Sequence, residues 1–132
     1  MRLSVLSQAP SMQDVLLMLD GGMAVPSIKK SKGGATVTLD NCTVEVSPMD
    51  GRMVVTSVEA QPGNVPILLL LAAEHAASGG HELFVPSETP AHDIFSGYDA
   101  CSVKDGDCAG QHGAIVLYMG PKLLKRKRRK QP

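Results

Sequence analysis

The stretch Ala35-Thr36-Val37-Thr38-Leu39-Asp40-Asn41-Cys42-Thr43-Val44-Glu45-Val46 alternates apolar and polar residues on both sides of an Asp-Asn pair. A period of two puts Ala35, Val37 and Leu39 on one face and the threonines on the other, so the stretch reads as two antiparallel strands joined by a tight turn at Asp40-Asn41. A second turn, Ser47-Pro48-Met49-Asp50-Gly51, leads into Met53 to Val58 and makes residues 35 to 58 a three-stranded meander. The third strand is apolar on both faces through Val54, Val55 and Val58, which places it near the sheet centre.

Upstream, Arg2 to Leu6 alternates as a short strand. Ser11 with Asp14 then resembles a helix start, and Met12, Val15, Leu16 and Leu19 recur at helical spacing until Gly21-Gly22. From Met23 to Gly34 the pattern dissolves into an expected loop carrying Lys29, Lys30 and Lys32. Downstream of the break at Gln61-Pro62-Gly63-Asn64, the run Pro66 to Ala77 is rich in Leu and Ala, with Pro66 suited to a first helical position and Gly79-Gly80 as the stop. Apolar residues surround most of this helix, as expected of one buried deeply. Glu82 to Val85 reads as a short strand, Ala91 to Tyr98 as a short helix, Cys101 to Gly113 as a polar, glycine-rich loop, and Ala114 to Met119 as a strand covered on both faces. No internal repeat is evident.

The order strand, helix, three-strand meander, buried helix, strand, short helix, strand resembles the GNAT superfamily of acetyl-CoA-dependent N-acyltransferases. The likeness is best from Met53 to Met119, where Ile94-Phe95 stands two residues before Gly97-Tyr98, similar to a family pattern of an aliphatic-Tyr pair shortly before Gly-Phe or Gly-Tyr. It implies an α+β fold over residues 1–121, a mixed and mainly antiparallel sheet with a central buried helix and flanking helices. It also implies a pyrophosphate loop at Gln61, Gly63, Asn64 and Val65, where backbone amides and the helix N-terminus would hold the acetyl-CoA cofactor. Here the loop departs from the family pattern. Its second Gly is missing, Pro62 and Pro66 each remove an amide donor, and β-branched Val65 stands where a close backbone approach favours a small residue. The aromatic matching the family's general acid is Phe95, which has no proton to give, so the resemblance leaves Glu59 as base and Tyr98 as a substitute acid. With the loop degraded in this way, no cofactor is expected unless the chain is active, in which case acetyl-CoA is.

Charge divides the chain differently. Thirteen Lys and Arg balance thirteen Asp and Glu over 132 residues, yet seven of the positive charges lie in the last eleven: Lys122, Lys125, Arg126, Lys127, Arg128, Arg129 and Lys130. Residues 1–121 keep six positive charges against thirteen negative ones, so an acidic body carries a basic arm at 122–132. Six basic residues in succession are typical of contact with nucleic-acid phosphates or with an acidic protein surface. Two Tyr, two Phe and no Trp argue against a base-stacking platform.

The longest apolar run, Val65 to Ala73, is far short of the ~20 residues of a membrane span, and Ser7 and Gln8 interrupt the first apolar stretch before it could form a signal-peptide core. No membrane partner is expected. Three cysteines, Cys42, Cys101 and Cys108, suit free thiols in a reducing compartment. Cys101, Cys108 and His112, with His92 and Asp99 upstream, lack the tight pairs of a structural zinc site. Nucleophile-elbow, Walker and dinucleotide motifs are absent. The expectation is a non-catalytic interaction module of a nucleoprotein assembly, for example a phage virion component, located in the cytoplasm or the virion. The alternative is a small N-acyltransferase.

Overall fold

The computed structural model describes residues 15, 26–31, 33–61, 64–87, 94–95, 98 and 100–123. In chain order these form β1 (Pro26–Ser31), β2 (Gly34–Leu39), β3 (Cys42–Met49), β4 (Arg52–Glu59), α1 (Val65–Ser78), β5 (Leu83–Pro86), β6 (Cys101–Cys108) and β7 (Gln111–Tyr118). The strands make one sheet in the order β1-β2-β3-β4-β5-β7-β6. Every neighbouring pair is antiparallel except β4 and β5, which α1 links as a parallel crossover.

The meander forms as its alternation requires, and β4 is the central strand. Val37, Leu39, Val44 and Val46 are buried on the face that meets α1, while Thr36, Thr38, Thr43 and Glu45 take the opposite face. The β3–β4 turn is tighter than the sequence suggests. Strand pairing continues through Ser47, Pro48 and Met49, and Asp50 and Gly51 close it alone with φ of 49° and 79°, as a two-residue hairpin turn with both central residues left-handed demands. Glu45 faces Ser57 and Val46 faces Val55, so Thr56 is an extra residue, and its Oγ1 donates to the Glu45 carbonyl at 3.2 Å. That bulge shifts the side-chain phase, and Met53, Val55 and Val58 all reach the same core.

α1 is covered nearly all round. Leu68, Leu69, Leu70 and Leu71 have no exposed surface, and each such side chain contributes about 1.5–3 kcal/mol of burial free energy. Its sheet side packs on β2, β3, β4, β5 and β7, and Val15, Ile94, Phe95, Tyr98 and Leu123 belong to the same core. The helix ends where Gly79 and His81 both donate backbone N–H groups to the Ala76 carbonyl.

The opposite face has a smaller buried cluster of Val54, Phe84, Cys108 and Ile115, with Ala109 against it. Cys108 and Ala109 form the tip of the β6–β7 hairpin, which therefore lies over the β4–β5 seam. Gly106 and Gly113 face each other across that hairpin. A Cβ on Gly113 would press on the Val85 carbonyl oxygen and sit 2.9 Å from Phe84 Cζ, so the close approach depends on glycine there.

Two expected loops are strands, and the α+β fold class with flanking helices is overturned. Among the described residues the architecture is a seven-stranded mixed sheet with one long helix, α1. β1 arises inside Met23–Gly34 and β6 inside Cys101–Gly113, and among the described residues both are edge strands. Each edge strand packs on the core over only part of its length, through Ile28 in β1 and Cys101 and Val103 in β6, so neither carries a sustained alternation, and the Asp-Gly-Asp of β6 is held in place by pairing with β7 rather than by its own strand preference. The expected strand at Arg2–Leu6 and most of the expected short helices lie outside the described residues. Val15, Ile94 and Phe95 are described there as helical and fully buried.

Candidate functional site

β4 and β5 pair only through Met53–Leu83 and Val54–Phe84, after which the two strands have no further pairing. The end of β4, the turn after it and the first turn of α1 gather beyond that point, and with them most of the residues singled out as a cofactor loop. Glu59 and Gln61 are exposed, and Asn64 and Val65 are half-buried. Asn64 N–H donates to the Gln61 carbonyl at 2.9 Å, which closes the turn, and its Nδ2 donates to Cys42 Sγ at 3.3 Å. The Asn64 side chain makes no capping hydrogen bond to α1, no acidic residue lies in the first turn, and Pro66 lacks an amide proton. Gly63 lies outside the described residues.

Tyr98 sits elsewhere. Its carbonyl accepts from Cys101 N–H at 3.1 Å, and Cys101 pairs with Tyr118, two residues beyond the Val116 that faces Leu83. Glu59 is six residues past Met53 in the other direction, so the register assigns the two residues to opposite ends of the sheet. Tyr98 is 1% exposed, packs in the α1 core with its ring centroid 6.5 Å from that of Phe95, and has no hydrogen-bond partner for its hydroxyl. Burial, and to a lesser degree the neighbouring Cys101, push the phenol well above its ordinary range, so it keeps its proton. The structure does not assemble Glu59 and Tyr98 into one acid-base site.

The thiols are likewise apart. Cys101 and Cys108 are the two ends of β6, all three cysteines are free, and burial pushes Cys101 up to about 12. His112 Nδ1 lies 2.8 Å from Asp107 Oδ1 across the hairpin. Among the described residues no group of three His, Cys, Asp or Glu could hold a metal ion. No described helix is long and apolar enough to cross a membrane.

At the other end of β7 the chain is fixed well past the last strand residue. Met119 N–H donates to the Ala100 carbonyl at 2.7 Å, the Tyr118 hydroxyl donates to the Pro121 carbonyl, and Leu123 is 2% exposed within the α1 core. Lys122 is exposed beside it. The basic residues Lys125, Arg126, Lys127, Arg128, Arg129 and Lys130 lie outside the described residues, but their point of attachment does not. The anchoring Leu123 was missed by the charge reading, although the Leu123-Leu124 pair interrupting the basic run is the signal that would have found it. Comparisons with protein-family models, curated proteins and solved structures find no match for this chain.

Proposed function

We propose that the chain is a non-catalytic interaction module that contacts nucleic acid through its basic arm, residues 122–130. The observation carrying this reading is the burial of Leu123, two residues before Lys125-Arg126-Lys127-Arg128-Arg129-Lys130. The buried Leu123 fixes the point at which the basic run leaves the folded body. The body, acidic on balance, repels phosphate and leaves the attraction to the arm.

The test compares the full chain with a truncation after Leu124 on random-sequence duplex DNA and single-stranded RNA at two salt concentrations. If all seven arm charges engage duplex phosphates, the slope of log affinity against log salt is about −6, from roughly 0.9 per phosphate. Equal binding by both forms rules the arm out. A strong preference for one base sequence contradicts a contact made by charge alone.

A second reading, an acetyl-CoA-dependent N-acyltransferase with Glu59 as base, draws support from one observation, the parting of β4 and β5 beside the first turn of α1. It requires saturable binding. A ligand at 100 times its dissociation constant stabilises a fold by about 2.7 kcal/mol, so an unchanged melting temperature in millimolar acetyl-CoA removes this reading.

A further inference from the structure

The β6–β7 hairpin changes side partway along its length. Val103, Ala114, Val116 and Tyr118 pack with the α1 core, which fixes one face of both strands. Alternation would carry Asp107 and His112 onto that same face, yet both are exposed, while Cys108 lies against Val54, Phe84 and Ile115 on the other face. Beyond Gly106 and Gly113 the hairpin therefore curls away from α1 and folds over the β4–β5 seam.

The curl sits where the two glycines face each other. A Cβ on Gly106 would press on Ile115 Cδ1, and one on Gly113 would press on the Val85 carbonyl oxygen, so the hairpin lies closer to its surroundings there than a side chain allows. Next to the glycine pair, Ser87 donates its N–H to the His112 carbonyl at 3.1 Å.

Among the described residues the tip itself is held at few points. Ala109 donates its N–H to Asp50 Oδ2 at 2.8 Å, Cys108 Sγ lies 3.7 Å from the Met49 carbonyl oxygen, and the Arg52 side chain bonds the Cys108 thiol. The contact between Asp107 and His112 ties the two strands of the hairpin to one another and not to the body. Val54, Phe84, Cys108 and Ile115 are all that the tip keeps dry, whereas the far larger core lies on the α1 side of the sheet. A segment closed over one small cluster by a few surface contacts opens at a lower free energy than the whole fold.

We infer that the hairpin beyond Gly106 and Gly113 is a strap that opens as a unit while the rest of the sheet stays folded, hinged at the glycine pair and latched at its tip by Asp50 to Ala109. Opening uncovers Val54, Phe84 and Ile115 and brings the Cys108 thiol to solvent. The device is independent of the arm, whose root at Leu123 lies in the core on the opposite face.

The experiment is labelling of the full, folded chain with N-ethylmaleimide at several urea concentrations below the unfolding transition, read cysteine by cysteine from peptide masses, with hydrogen exchange at residues 114–118 followed in parallel. Cys42 and Cys108 are both 4% exposed, so burial alone gives them equal protection. Cys108 is expected to react about tenfold faster than Cys42 or more, at a rate that hardly changes with urea, because local opening exposes little surface. Cys42 is expected to react at a rate that climbs steeply with urea, and residues 114–118 to exchange slowly where Cys108 already reacts. Asp50→Gly removes the acceptor and suits the left-handed turn, and it is expected to speed Cys108 labelling about fivefold. Labelling of Cys108 that follows Cys42 in rate and urea dependence overturns the inference, since the tip then opens only with the whole fold. Labelling at the rate of an unfolded thiol overturns closure of the strap, fast exchange at 114–118 overturns the hinge, and an Asp50→Gly rate equal to that of the wild type overturns the latch.

Discussion

Ala109 donates its backbone N–H to Asp50 Oδ2 at 2.8 Å, joining the tips of two hairpins whose turns are 59 residues apart in the chain. Beside it Cys108 Sγ lies 3.7 Å from the Met49 carbonyl oxygen. The pair holds the β6–β7 tip over Val54, Phe84 and Ile115, so the small cluster on the face away from α1 depends on contacts between elements distant in sequence. Asp50 and Ala109 both adopt left-handed backbone, with φ of 49° and 53°.

Replacing Asp50 tests that link. Asp50→Ala removes the acceptor and sets an alanine in left-handed backbone, and each effect costs about 1 kcal/mol. Asp50→Asn keeps an acceptor and tolerates the conformation, so its loss is smaller. Urea unfolding of both variants checks the order, and equal losses would show that neither a side-chain acceptor nor a tolerance of left-handed backbone at this position contributes.

Tyr98 gives the reverse sign. Its hydroxyl is buried without a partner, so the fold carries a desolvation cost of about 1–3 kcal/mol that Tyr98→Phe removes. The variant is expected to be more stable than the wild type by about 1 kcal/mol or more in urea unfolding. A loss of stability would mean that the hydroxyl has a partner in solution.

How far the chain could be read from its residues followed burial. Ala35 to Val46 was legible because one face of β2 and β3 is dry and the other wet, which writes a period of two into the sequence. α1 was legible for the opposite reason, since a helix covered nearly all round is a solid run of Leu and Ala flanked by Pro66 and Gly79. β1 and β6 were illegible because strand character at an edge comes from a single neighbour, and neither Lys29-Lys30 nor Asp105-Gly106-Asp107 prefers a strand locally. The arm announced itself by charge, but its root did not. Tyr98 looked available as an acid only because its sequence neighbours say nothing about the core above it.

Cys101 sets an alkaline limit. Burial raises its thiol from about 9 to about 12, so between those values the unfolded chain releases a proton that the folded chain retains. Folding stability attributable to this group is therefore complete below pH 9 and is lost as pH rises toward 12. Cys101→Ala is expected to flatten the fall of unfolding free energy across that window. An unchanged pH profile would show that Cys101 does not contribute to it.

Leu123 separates the stability of the body from the action of the arm. A side chain 2% exposed in the α1 core leaves a cavity when truncated, and Leu123→Ala is expected to cost about 2–5 kcal/mol. Ending the chain after Pro121 removes the same side chain and is expected to lose a similar amount, while ending it after Leu124 retains Leu123 and should melt close to the wild type. Leu123→Ala keeps every basic residue, so under conditions where it remains folded its affinity for duplex DNA should stay near that of the full chain, and the Leu124 truncation should show the converse. If ending the chain after Leu124 lowers stability as much as ending it after Pro121, residues 125–132 support the acidic body directly, and the arm's charge is then engaged within the molecule rather than offered to phosphate.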